Sequence, residues 1–133
     1  ALARREHSRQ ELRAKLRPLA EDPDELESLL DDLENRGWLS EARFVEQLTT
    51  VRRRRFGAAR IVHELREKGV SDAALAAAQS QLKQGELEAA RAVWQKKFGG
   101  LPETLEERAR QSRFLASRGF SAEIIRQVLR ATE

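Results

Sequence analysis

The sequence predicts an all-α fold of tandem three-helix repeats, and three observations predict it. Apolar residues recur at helical spacing along nearly the whole chain, while alternating strand-like runs are missing and there is no Tyr. Serine, aspartate and glycine punctuate the apolar stripes where helices start and stop. The pattern of stripe and cap then returns at an interval near 50 residues.

The elements follow in order. A helix over 8–18 carries Leu16. The second, 22–36, opens on Asp22-Pro23-Asp24-Glu25, which reads as a capping box with proline in the first turn, where its missing N–H costs nothing. Its stripe is Leu26, Leu29, Leu30 and Leu33, and Gly37 ends it. Ser40 caps the third helix, 40–55, with Phe44, Val45, Leu48 and Val51 on one stripe. The fourth, 57–68, carries Ile61, Val62 and Leu65 and closes at Gly69; Ser71 caps the fifth, 71–83, with Leu75, Ala78 and Leu82. Helices over 86–98 and 103–118 follow, the latter closing at Gly119, and Ser121 caps the last, 121–131. Trp38 and Trp94 fall at or near helix boundaries as expected core anchors, and Phe114 and Phe120 are expected in core and cap packing.

Leu16, Leu65 and Leu115 stand 49 and then 50 residues apart. In the same register Asp22, Ser71 and Ser121 cap the next helix, Leu26, Leu75 and Ile125 begin its stripe, and Leu29, Ala78 and Val128 continue it. Phe44-Val45 aligns with Val93-Trp94. This register divides the chain into repeat 1 at 1–55, repeat 2 at 56–99 and a partial, two-helix repeat 3 at 100–133. A row of such modules exposes much surface and suits an extended partner.

Charge is patterned rather than uniform. The net charge is only +3, yet segments 1–20, 21–48, 49–70, 71–90 and 91–133 carry +4, −8, +5, −2 and +4. Of the 25 basic residues, 20 are Arg, whose planar fork suits phosphate and carboxylate. The chain has no Cys, which excludes disulfides, thiolate metal sites and thiol nucleophiles and fits a cytoplasmic location. No apolar run approaches the ~20 residues that cross a bilayer, and Ala1-Leu2-Ala3-Arg4-Arg5 lacks the apolar region of a secretory signal. The polar surface points to a monomer.

No catalytic, metal or cofactor site is expected. His7 and His63 are isolated, and Gly99-Gly100 follows a helix without a phosphate-cradling pattern. Asp22, Asp24, Asp31 and Asp32 lack the spacing and turn glycine of a Ca²⁺ loop, and helix-dipole complementarity accounts for the first two. The sharpest feature is Arg52-Arg53-Arg54-Arg55. At ~100° per residue, Arg55 returns to the apolar stripe, Arg52 lies on its edge, and Arg53 and Arg54 point away. The run is either a helix end complementing its dipole or an anion contact that Arg60, Arg66 and Lys68 extend. A second basic set, Arg108, Arg110, Arg113, Arg118, Arg126 and Arg130, is interleaved with Glu103, Glu106, Glu107 and Glu123, so intrahelical pairs are expected within it. As partner-binding candidates we take Arg52, Arg53, Arg54, Arg55, Arg60, Arg66, Lys68, Arg113, Arg118 and Arg126.

Five stretches together resemble the RecX family. Gly37-Trp38-Leu39-Ser40-Glu41-Ala42-Arg43-Phe44-Val45 is similar to its Gly-aromatic-Leu-Asp/Ser-acid-x-Arg-Phe-small signature. Arg55-Phe56-Gly57-Ala58-Ala59-Arg60-Ile61 and Glu64-Leu65-Arg66-Glu67-Lys68-Gly69-Val70 follow, then Arg113-Phe114-Leu115 and Arg118-Gly119-Phe120-Ser121. Arg55 replaces the first glycine of the family's Gly-aromatic-Gly turn. The resemblance runs from about residue 7 to the end. It implies an elongated, curved array that docks along the groove of RecA–DNA filaments. There it would hinder recombination, ATP turnover and coprotease activity, and so bear on DNA repair and the SOS response. Two other partners stay open on the residues alone: bare single- or double-stranded DNA, and another protein for which the chain serves as adaptor.

Overall fold

The computed structural model describes residues 5–130 and contains, among them, eight α-helices and no strand. The helices are α1 (Arg9–Leu16), α2 (Pro23–Asn35), α3 (Glu41–Arg52), α4 (Ala58–Glu67), α5 (Asp72–Lys83), α6 (Glu86–Lys97), α7 (Leu105–Ser117) and α8 (Ala122–Leu129), with a 3₁₀ turn at Arg17–Leu19. No helix among the described residues is long and apolar enough to cross a membrane. The expected end of the last helix at residue 131, and the N-terminal segment but for Arg5, lie outside the described residues.

Side-chain oxygens start most of these helices. Ser40, Ser71, Thr104 and Ser121 each accept the amide of the residue three positions on, at 3.1–3.3 Å. The capping box expected at Asp22 forms elsewhere. Asp22 accepts from Asp24 N, at the second helical position rather than the third, at 3.0 Å. The reciprocal pair is at α1, where Ser8 Oγ accepts Glu11 N and Glu11 accepts Ser8 N. The expected glycine stops are present: Gly69 and Gly119 take left-handed φ of +82° and +94°. Beyond them the amides of Val70 and Phe120 reach back to the carbonyls of Leu65 and Leu115, which tucks both side chains into the core.

Three apolar clusters set the architecture. Leu26, Leu30 and Leu39 join α1 to α2, with Leu12 and Leu16 packed against them. Phe44, Ile61, Val62, Leu65, Val70, Leu75, Ala78 and Leu82 unite α3, α4 and α5. Ala90, Val93, Leu115, Phe120, Ile125, Val128 and Leu129 unite α6, α7 and α8. Leu26, Leu75 and Ile125 are buried in all three clusters, and Leu65 and Leu115 in the last two, but the packed units are α1–α2, α3–α5 and α6–α8. This grouping is one helix out of phase with boundaries at 55/56 and 99/100, because a repeat register fixes an interval, whereas side-chain burial decides which three helices share a core. Three positions depart from expectation, and one of them is Val51 on the α3 stripe, which is 48% exposed. Leu29 is 45% exposed while Leu30 is fully buried, and Trp38, expected as a core anchor, is 65% exposed. At the turn after Gly37 it is Leu39, and not Trp38, that enters the core. Trp94 does anchor: it packs on the α6–α8 core and its Nε1 donates to Gln111 Oε1 at 2.8 Å.

Candidate nucleic-acid interface

The arginine run divides at the end of α3. The helix stops at Arg52, so the residues after it leave the 100° projection and enter a turn tied by the Arg55 and Phe56 amides to Arg52 O. Arg52 forms a two-pronged pair with Glu64 at 2.8 and 3.0 Å. That guanidinium holds the Glu64 carboxyl below its ordinary range, and Glu64 in turn raises Arg52. Arg53, expected to point away, instead turns back to the end of α5 and donates to Leu82 O at 2.8 Å and to Gln84 O. It satisfies carbonyls that the helix leaves open. Arg54 and Arg55 are exposed, and neither guanidinium has an ion pair or hydrogen bond among the described residues. Arg55, expected on the apolar stripe, is thus solvent-facing.

These two arginines form one wall of an open groove of about 430 Å³. Lys96 and Lys97 at the end of α6 and Arg118 at the end of α7 form the other, over Val93 and Phe114. No carboxylate lines it. Phe114 is edge-on to Phe98 at 5.4 Å and carries Arg118 and Lys97 over its ring at 4.9 and 5.5 Å. With its ring already covered by cations, Phe114 orients charge and is no stacking platform for a base. Five cations, three of them guanidinium forks, give the groove a charge and donor geometry complementary to closely spaced oxyanions.

The remaining candidates scatter. Arg60 donates to Ser117 O at 3.0 Å and lies 4.2 Å over Phe56, between units. Lys68 pairs with Glu11 at 3.0 Å and joins α1 to α4. Arg126 pairs with Glu123 on its own helix. Arg113 is exposed on α7, and Arg66 faces a separate groove that also holds Lys83 and Glu86. The structure brings together Arg54, Arg55 and Arg118 from the sequence set. It adds Lys96 and Lys97, which sequence reasoning missed: a lysine pair at a helix end is ordinary dipole complementarity until another unit's arginines face it. The acidic segment is likewise occupied, Asp31 by Arg9 at 2.8 Å and Asp32 by Arg36 at 2.9 Å.

The joints between units repeat as well. Gln10 Nε2 donates to Glu67 O at 2.9 Å, and 50 residues on Arg60 donates to Ser117 O. At the second joint Gly57 N donates to Arg118 O at 2.6 Å. A Cβ at Gly57 would lie 2.6 Å from Gly119 O, and one at Gly119 would lie 2.6 Å from Arg60 Cβ. Only glycine permits this approach of two backbones.

Comparison with known proteins agrees with this architecture. The family models for the second and third three-helix domains of RecX match residues 40–78 and 84–129, the spans of α3–α5 and α6–α8 but for the end of α5. The regulatory protein RecX of Leptothrix cholodnii is 52% identical over 99% of this chain and 84% of its own length. That of Ralstonia nicotianae is 45% identical over 99% and 83%. In fold, the crystal structure of RecX from Lactobacillus salivarius superposes with a TM-score of 0.78 at 18% identity, covering 93% of this chain and 84% of that one. With two domain models and relatives of this identity matching nearly end to end, the chain belongs to the RecX family of regulatory proteins.

Proposed function

We propose that this chain is a non-enzymatic cytoplasmic regulator that binds the RecA–DNA filament and restrains it, using the groove between Arg54–Arg55 and Lys96–Lys97–Arg118 on phosphate. The observation that carries the site is five cations without a lining carboxylate, drawn from two packed units. The identity of the filament rests on family membership. A filament is long and repetitive, and a row of units spreads weak contacts along it, so that joined contacts reach an affinity none has alone. The alternation of basic and acidic segments sets register and speeds encounter more than it adds affinity.

The test is RecA ATP hydrolysis on single-stranded DNA with and without this protein. Inhibition at stoichiometric dose is expected, relieved by Arg54→Ala with Arg55→Ala. Unchanged turnover and unchanged filament length would end the proposal. A second reading, a stand-alone nucleic-acid binder, is favoured by the groove's being formed wholly within one chain. It requires binding to bare DNA that weakens steeply with salt, and the absence of any low-salt complex excludes it.

A further inference from the structure

The groove is made by two units that share no buried cluster, since the apolar cores of α3–α5 and α6–α8 are separate. What closes the joint is polar: Gly57 N to Arg118 O, Arg60 to Ser117 O, and Ala58 N to Glu86 Oε1 at 3.2 Å. Phe56 adds a ring beneath Arg60 and Arg118, at 4.2 and 5.4 Å. Closing this joint brings Arg54 and Arg55 against Lys96, Lys97 and Arg118 with no carboxylate between them. Like charges so gathered oppose closure, and a multivalent anion seated among them reverses the sign.

We infer that the groove is a clasp, in which a run of adjacent phosphate groups bound between Arg54–Arg55 and Lys96–Lys97–Arg118 holds the α6–α8 unit closed on the α3–α5 unit. This rests on the proposed phosphate-binding reading and adds that occupancy and joint geometry are coupled. Phosphate is favoured over an acidic peptide by the lining. Apart from the cations it offers only the buried Val93 and the cation-covered Phe114, so there is charge to read and little apolar surface for side chains to anchor on. Coupling must be reciprocal: an anion that prefers the closed joint tightens it, and loosening the joint weakens the anion. Gly57 and Arg60 are outside the groove lining, so variants there probe the coupling without removing a cation that lines the groove.

The Gly57 amide, bonded to Arg118 O, reports closure directly. Hydrogen exchange at this amide is followed by NMR on the full chain, alone and with tripolyphosphate, oligothymidylate or polyglutamate. Exchange is expected to slow by between about fivefold and about a hundredfold with a phosphate probe, and to change little with polyglutamate. Slowing by tripolyphosphate alone would assign a nucleotide-type phosphate tail as the source, and slowing by oligothymidylate as well would assign the nucleic-acid backbone. Gly57→Ala pushes the backbones apart without changing charge, and Arg60→Lys keeps the charge while losing the fork that reaches Ser117 O. Both are expected to bind tripolyphosphate at least about fivefold more weakly, with helicity retained. Phosphate binding that leaves Gly57 exchange unchanged, or full affinity in both variants, overturns the clasp. Equal slowing by polyglutamate overturns the ligand class. No recombinase is present, so the outcome is separable from that of the filament assay.

Discussion

Within the arginine run, neighbours in sequence have opposite jobs. Arg53 ties the α3–α4 turn to the end of α5, whereas Arg55 stands in the groove with no partner among the described residues. Arg53→Ala should therefore lower unfolding stability by about 1–2 kcal/mol, since it leaves the partly buried Leu82 carbonyl without its charged donor. Arg55→Ala should leave stability within about 0.5 kcal/mol and weaken phosphate binding. Denaturant titration of the two variants checks this, and equal stability losses would refute the division. A second residue-scale prediction concerns Glu11. Burial pushes its carboxyl up, but the Ser8 amide, Arg5 and Lys68 outweigh burial and hold it at about 2, against an ordinary value of 4.5. A depressed carboxyl stabilises the fold above its unfolded pKa and loses that contribution as pH falls through the folded value. The α1–α4 contact should thus loosen as pH drops from about 4.5 to about 2, seen as faster exchange of α1 amides. Glu11→Gln should flatten that dependence; a wild-type profile flat across the same window would count against it.

For single helices, burial and not apolar character separates what matters. Leu65 on α4 is fully enclosed by α3 and α5, and Leu65→Ala is expected to cost about 3–4 kcal/mol through lost burial and the cavity left. Leu29 has the same side chain on an equally plain stripe, yet is 45% exposed, so Leu29→Ala should stay within about 0.5 kcal/mol. Thermal melts of both variants decide the matter, and comparable losses would mean that the core assignment is wrong. The caps and glycine stops at Ser40, Gly69, Ser71, Gly119 and Ser121 were legible because they act within a few residues, where local backbone chemistry suffices. The orientations of Leu29, Trp38 and Arg53 were not, because each sits near a helix boundary or stripe edge where the neighbouring helix decides which side is covered.

Across the whole molecule the units are unequal. The α1–α2 core has three buried residues against eight in α3–α5, and α1 is held to α4 by Gln10–Glu67 and Glu11–Lys68. In a row of units stability is a sum of unit and joint contributions. Hydrogen exchange should therefore show α1–α2 opening at lower free energy than α3–α5, and uniform protection along the row would contradict this. The sequence by itself determined the helices, their caps, the interval near 50 residues and the family, since all of these are written in local patterns and their recurrence. Only tertiary structure decided that the packed units are α3–α5 and α6–α8, and that Arg54 and Arg55 face Lys96, Lys97 and Arg118. Those outcomes depend on which distant surfaces bury one another, and a periodicity holds no record of that.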